Sequence, residues 1–490
     1  MFVLAALLAS SLSLRAAALS STRTPSPTQQ AYMPHEQIMF VHFSMCTFAQ
    51  CEQDTACRTN PPSLFNPTAL NVTQWIETAA ALGATQVCLT ARHTGGFALW
   101  QTKHGEYGVR QSPWLGGRGD IVQEFTAACR RFGISPCVYF IPAWDCSLYW
   151  ESGGQSATYL NRTLGMLGEL LDVQKYGKID RLWFDQFGWG DRGGAQRKNG
   201  TSPDGLWPQS WSTIVDYVHT HSPGTAMLPG PDGCLTFGEG GAGAYPVVSY
   251  VNDTLLCSYA CPATAADRTE LGCFSGAAYQ PDPRSSHFVP FETTMSIQNP
   301  GDGWFWHPGH VFDSPAELFR RYLATVGRGA HWILNLPPNT TGLIPEAYVA
   351  SAAQTGDAIR RSFGTSVGST TTAVSGRCDA LAVVVNATGG EYDAVMIRED
   401  LENGQVVLGY SLELEDCATG EWAPVSLNST LAGQTVGMKS IARLPAPSHA
   451  CAVRFRCTRA IGGTKAVVRL LGISLHMIRA PPEWPHAQLQ

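Results

Sequence analysis

The sequence predicts an α/β protein, a (β/α)8-like barrel with an irregular stretch, followed by a C-terminal antiparallel β-sandwich. Three observations predict it. From about residue 36 to 365, short apolar runs alternate with segments of helical periodicity. Near-continuous apolar runs mark parallel strands covered on both faces, and this many βα units suit a closed barrel better than an open sheet. After about residue 366 the pattern becomes short β-rich runs separated by turns, which reads as a sandwich.

The elements follow in order. Residues 38–43 form a short apolar strand, and 71–82 have the spacing of an amphipathic helix. Residues 84–90 read as a strand, 119–132 as a helix, 134–141 as a continuous apolar strand and 159–176 as a helix. Residues 179–184 are a strand, 208–220 a helix and 225–228 a strand. A Gly/Pro-rich stretch, 231–312, interrupts the alternation, which resumes with a helix at 315–325 and a strand at 330–336. A last amphipathic helix, 344–363, precedes the β-rich runs 381–385, 392–397, 406–414, 452–455 and 466–473. The expected boundaries are 1–18 for a signal peptide, 30–365 for the barrel, 366–478 for the sandwich and 479–490 for a Pro-rich tail.

Composition narrows the function class. Of 490 residues, 44% are hydrophobic and 15% charged, which is globular rather than disordered. A net charge of −6 with no basic run excludes a nucleic-acid partner as the expected role. The apolar run 2–14, followed by Ala16, Ala17 and Ala18, has the form of a secretory signal without its basic start. It is too short to span a membrane, and no later segment is long and apolar enough. Seven Asn-x-Ser/Thr sites, at Asn71, Asn161, Asn199, Asn252, Asn339, Asn386 and Asn428, agree with secretion. So do fifteen Cys, for which disulfides are expected. The groups Cys46, Cys51, Cys57 and Cys257, Cys261, Cys273 are the best candidates, and Cys451 and Cys457 flank a strand. Cys88 and Cys137, inside apolar strands, read as buried thiols. No Cys/His spacing makes a zinc site.

The chemistry rests on carboxylates. Asp185 ends the run 179–184, and in a parallel barrel active sites collect at that end of the strands. Glu239 sits in the Gly-rich turn Phe237-Gly-Glu-Gly-Gly, where another strand ends. Two such carboxylates are the minimal equipment for glycosidic bond cleavage, although a strand-end carboxylate can equally cap a helix. Asp145, after Pro-Ala-Trp, is the fallback nucleophile.

Five collinear motifs carry a resemblance. They are Phe40-Val-His-Phe-Ser, Ala91-Arg-His-Thr-Gly-Gly-Phe-Ala-Leu-Trp100, Gly119-Asp-Ile-Val-Gln-Glu-Phe, Trp183-Phe-Asp185 after a Tyr176 to Asp180 lead, and Leu334-Asn-Leu-Pro-Pro-Asn-Thr-Thr-Gly342. Over about residues 36–365 the chain resembles glycoside hydrolase family 29, the α-L-fucosidases, as a secreted eukaryotic member.

That resemblance implies a retaining enzyme without metal or cofactor, acting on a fucosylated oligosaccharide or glycoprotein. It implies Asp185 as nucleophile. Glu239 is the implied acid/base, in a segment that resembles the family's, and Glu292 is the rival. His42 and His93 match positions that bond fucose hydroxyls. Glu52 would bind sugar or be an ordinary surface carboxylate. Trp183, Trp304 and Trp306 would wall the pocket or be core, and Tyr139 ends a strand beside them. The family's His-His-Asp is here His93-Thr94-Gly95, which predicts looser discrimination between sugars. A catalytically inactive, fucose-binding relative and a glycosidase of other specificity are the alternatives.

Overall fold

The computed structural model describes residues 24–52, 54, 60–142, 157–184, 207–227, 234–237, 288, 290–299, 303–427 and 435–484. The signal segment, Asp145, Asp185, Glu239 and Cys57, Cys257, Cys261 and Cys273 lie outside them.

Eight parallel strands form the first sheet. They are β1 (Gln37–Val41), β2 (Gln86–Arg92), β3 (Ser135–Phe140), β4 (Arg181–Phe184), β5 (Ala226–Met227), β6 (Cys234–Phe237), β7 (Phe291–Ser296) and β8 (His331–Asn335). Their order is β5-β4-β3-β2-β1-β8-β7-β6. That is the circular order of a (β/α)8 barrel, read from the β5/β6 seam. Helix α1 (Pro27–Tyr32) lies ahead of β1. Helices α2 (Val72–Leu82), α3 (Ile121–Phe132), α4 (Ala157–Leu170), α5 (Trp207–His221), α6 (Pro315–Thr325) and α7 (Glu346–Phe363) follow strands as expected.

Local chemistry explains these boundaries. Asn71 caps α2 by accepting from Gln74 N at 3.2 Å, and Gly83, at φ +94°, ends it in the left-handed region. Asp120 caps α3 in the same way at 3.0 Å. The expected helix 159–176 is instead two. Asp172 restarts the chain by accepting from Gln174 N at 2.9 Å, so Val173–Tyr176 is a separate turn.

Two further expectations change. Strand β7 arises inside the stretch read as irregular, because its inward residues Glu292, Thr294 and Ser296 are polar and break the apolar run. Cys88 and Cys137 are not thiols. They face each other in register on β2 and β3 and form a disulfide within the barrel. Cys46–Cys51 is also bonded, and Cys129 is a buried free thiol.

The sandwich has strands β9 (Gly368–Ser369), β10 (Val374–Arg377), β11 (Ala382–Asn386), β12 (Tyr392–Glu399), β13 (Val407–Glu415), β14 (Trp422–Pro424), β15 (Ser440–Ser448), β16 (Ala452–Ala460) and β17 (Val467–His476). One sheet runs β9-β17-β12-β15 with β10 also on β17, and the other β11-β16-β13-β14. Disulfides Cys378–Cys457 and Cys417–Cys451 fasten it. Glu36, next to β1, pairs with Lys439 and Arg398 of the sandwich, so the two units meet beside the barrel's lower rim.

Candidate active site

The barrel interior is built in layers, and its two ends differ. At the lower, N-terminal end, Arg181 opens β4 and its guanidinium pairs with the Glu292 carboxylate. The Tyr32 hydroxyl donates to Glu292 Oε2 at 2.7 Å, and Trp183 Nε1–H donates to Oε1 at 2.9 Å. Tyr32 comes from α1, which closes this end as a plug. Glu292 is 0% exposed. Burial pushes its carboxyl above the usual range, against the pull of Arg181, Tyr32 and Trp183. In register it pairs with His331, four residues below Ser296 on β7, roughly 13 Å along the strand. The expectation that Glu292 meets substrate, as acid or as ligand, is therefore corrected. Both its oxygens are held by protein donors in the lower layer, and it supports Trp183 from beneath.

The upper end gathers the other candidates. His42 follows β1 and His93 follows β2, while Tyr139 and Trp183 lie near the ends of β3 and β4. Trp183 and Tyr139 stack at 5.2 Å, and Tyr139 and His93 stack at 5.2 Å. His42 lies 5.7 Å from His93 and 5.1 Å from Trp304. Phe305 meets both imidazoles edge-on, at 5.5 Å and 4.9 Å. The result is a continuous wall of rings with two imidazoles among its members.

Hydrogen bonds fix how those nitrogens present themselves. Asn335, at the end of β8, spends its amide N–H groups on Trp304 O at 2.7 Å and Ser296 Oγ at 3.1 Å. Its Oδ1 therefore faces His42 and accepts from the backbone N–H at 3.2 Å and from Nδ1 at 2.9 Å. His42 must carry its proton on Nδ1, so Nε2 is an acceptor. Burial lowers the His42 pKa to about 3, so the ring is neutral at physiological pH. Burial, then the neighbouring His42, lowers His93 well below its usual value. The His93 Nδ1 is bonded to the Thr94 hydroxyl at 2.9 Å.

Glu52 reaches the site through the Trp304 loop. Its Oε2 accepts from Trp304 N at 2.9 Å and Phe305 N at 3.3 Å, and its Oε1 lies 2.8 Å from His307 Nε2. Trp306 is half-buried and packs on the outer core.

The structure thus brings together His42, Glu52, His93, Tyr139, Trp183 and Trp304, and places Glu292 below them. Asp185 and Glu239 fall outside the described residues. Sequence reasoning missed Asn335 and Arg181. Arg181 is the first residue of β4 and Asn335 the last of β8, polar groups at the two rims of mainly apolar runs, and that was the available signal. Among the described residues, no three His, Cys, Asp or Glu side chains converge as a metal site.

A family model described as alpha-L-fucosidase matches residues 26–362. The chain is 28% identical to alpha-L-fucosidase 1 of Arabidopsis thaliana over 86% of this chain and 81% of that protein. It is 32% identical to a putative alpha-L-fucosidase 1 of Oryza sativa subsp. japonica, over 65% of this chain and 56% of that protein. A crystal structure of a putative alpha-L-fucosidase from Bacteroides ovatus superposes with a TM-score of 0.74 at 25% identity, covering 94% of this chain and 75% of that one.

Proposed function

Since the chain belongs to the α-L-fucosidase family, we propose that it is a glycoside hydrolase that releases terminal α-L-fucose from glycans or glycoproteins with retention of configuration. The observation that carries this reading is the wall of rings at the C-terminal ends of β1 to β4, with Asp185 the next residue in sequence after Phe184 of β4. On β4 the odd-numbered Arg181 and Trp183 point into the barrel, and the next odd position in the sequence is Asp185.

In this reading Asp185 attacks the anomeric carbon while ionised, and Glu239 protonates the departing oxygen. A water activated by Glu239 then releases the sugar. A retaining pair would stand about 5–5.5 Å apart, and the acid's pKa must be raised to hold its proton at working pH. His42 Nε2 accepts from one sugar hydroxyl. The Nδ1 bond to Thr94 leaves His93 Nε2 for another. Neither imidazole carries charge, so a neutral sugar enters without stripping water from an ion. Trp304, which is half-buried, offers an apolar face to a methyl group such as C6 of fucose, and the buried Phe305 packs behind the two imidazoles.

Synthesis through the secretory pathway, to an extracellular or lysosomal-type destination, is supported by the signal-like start, the sequons and the disulfides of both units. No described helix is long and apolar enough to cross a membrane.

The test is a panel of nitrophenyl glycosides with wild type and Asp185→Asn, the anomer of the first product being read by NMR. The expected outcome is turnover of the α-L-fucoside with retention, and a loss of roughly 10³-fold or more in the variant. Fucose binding without turnover in the wild type would instead indicate a sugar-binding relative. A variant that keeps more than about a tenth of the activity would remove Asp185 from the nucleophile's role.

A further inference from the structure

We propose that Asp54 positions the His93–Gly95 turn, its carboxylate taking from a neighbouring loop the space that an aspartate side chain at position 95 would fill. The inference rests on the functional reading above only in treating His93 as a sugar-facing residue.

The geometry is direct. A Cβ added to Gly95 would lie 2.6 Å from Asp54 Oδ2, 2.7 Å from its Cβ and 2.8 Å from its Cγ. Gly95 has φ +92°, a conformation that L side chains rarely adopt. A bare glycine and an incoming carboxylate thus complement each other at one point. Asp54 is 1% exposed, and such a buried carboxyl needs partners. Asn60 Nδ2 donates to Oδ1 at 2.7 Å and the Tyr107 hydroxyl lies 2.9 Å from Oδ2. Tyr107 belongs to the segment that continues from the turn. Its carbonyl accepts from Ala98 N at 3.0 Å and its ring meets Phe97 at 5.1 Å. Asp54 therefore touches both the turn and the segment behind it.

The same stretch of chain reaches the opposite wall. Two residues earlier, Glu52 holds the amides of Trp304 and Phe305, and the Cys46–Cys51 disulfide closes the loop just before it. One short segment thus braces the wall that carries Trp304 and the turn that carries His93. The change from a His-His-Asp pattern to His93-Thr94-Gly95 is then a relocation of the carboxylate and not its loss. The looser discrimination between sugars expected from the sequence is not required. Restoring aspartate at position 95 alone would drive it into Asp54.

The test is a double-mutant cycle in the full chain with Asp54→Gly, Gly95→Ala and both together. Gly95→Ala should lower kcat/KM on nitrophenyl α-L-fucoside in the wild-type background, and about fivefold or more less severely when Asp54 is glycine. Equal losses in both backgrounds would overturn the wedge. Asp54→Asn keeps the volume, and its effect should fall mainly on KM, about tenfold, with a smaller change in kcat. An unchanged KM would count against the proposal. The imidazole NMR signal of His93 gives a readout that needs no substrate. It should move in Asp54→Gly and stay in place in the exposed control Glu77→Gln. If the wild type turns over no fucoside, the functional reading fails, and this signal decides the inference alone. An unmoved His93 resonance in Asp54→Gly refutes it.

Discussion

Replacing Asn335 by aspartate changes one atom of the amide that sets the His42 tautomer. Oδ1 still accepts from His42 Nδ1, at 2.9 Å in the native protein. The partner is now charged, and the bonds given to Trp304 O and Ser296 Oγ lose their donor. Opposite charges about 4 Å apart at an effective dielectric near 20 attract by about 4 kcal/mol, close to three pK units. His42 starts at about 3, lowered by burial. Adding the two gives a midpoint of about 6 for His42 in Asn335→Asp, where the ring and the introduced carboxylate titrate as a coupled unit.

The sign follows. Below about pH 6 the variant's ring is cationic, Nε2 becomes a donor, and the sugar hydroxyl that donated to it is turned away. The profile of kcat/KM should gain an acid limb at about pH 6 that the wild type lacks. Stability moves with it. Two lost donor bonds should cost about 2–3 kcal/mol at about pH 8. The wild-type ring, its pKa lowered to about 3, costs stability as pH falls below the unfolded value of about 6.5, whereas a variant ring with a midpoint of about 6 costs little, so the deficit should shrink on acidification. His42 is followed by NMR titration of its ring carbon, and stability by chemical denaturation at several pH values. A His42 signal that titrates in Asn335→Asp at the native pH would show that Asn335 does not set the tautomer.

Other outcomes are expected from the same geometry. Glu292→Gln leaves the Arg181 cation buried without its carboxylate, and should cost roughly 3–5 kcal/mol in denaturation while leaving the dependence of rate on leaving group as in the native enzyme. On the proposed assignment of Glu239 as acid/base, which rests on sequence, Glu239→Ala should instead spare nitrophenyl fucoside in the first step and cripple natural glycosides, measured as kcat/KM on the matched pair. The neutral, buried His42, His93 and His331 all have lowered pKa values in the fold, while the unfolded chain takes up protons below its ordinary 6.5. Stability should therefore fall as pH drops from about 6.5 toward 3, with proton uptake on unfolding, and a stability profile flat across that window would contradict their burial.

The barrel was legible because its buried strands are apolar runs. Residues 134–141 and 330–336 contain β3 and β8. Strand β7 was hidden for the converse reason. Its inward positions meet polar partners at both ends of the barrel, Arg181 below and Asn335 above, so the alternation there is not apolar. The Cys88–Cys137 bridge was illegible because pairing depends on the register of two parallel strands 49 residues apart, which neither strand encodes locally. His42 and His93 stood out through the family-like motifs Phe40-Val-His-Phe-Ser and Ala91-Arg-His-Thr-Gly-Gly that contain them, not through anything in their own spacing. Nothing at Asp54 marks it, since its role exists only where a separate loop meets Gly95.

Glu292 and Asp185 show why a carboxylate in a strand is ambiguous. Each lies in or directly after an apolar or β-like run, and sequence offers both to the substrate. What separates them is which end of the strand they occupy. Glu292 is the second residue of β7, level with the first residue of β8 and opposite the start of β4, so it must be satisfied by the barrel itself. Asp185 follows the last residue of β4 in the sequence, the position that the proposed reading assigns to the nucleophile. The lower carboxylate still matters to the upper ring wall. It fixes Trp183, which stacks on Tyr139, which stacks on His93. A ring wall assembled from four strands holds its shape because its lowest member is hydrogen-bonded to a buried ion pair, and that pair is closed from below by Tyr32 of α1.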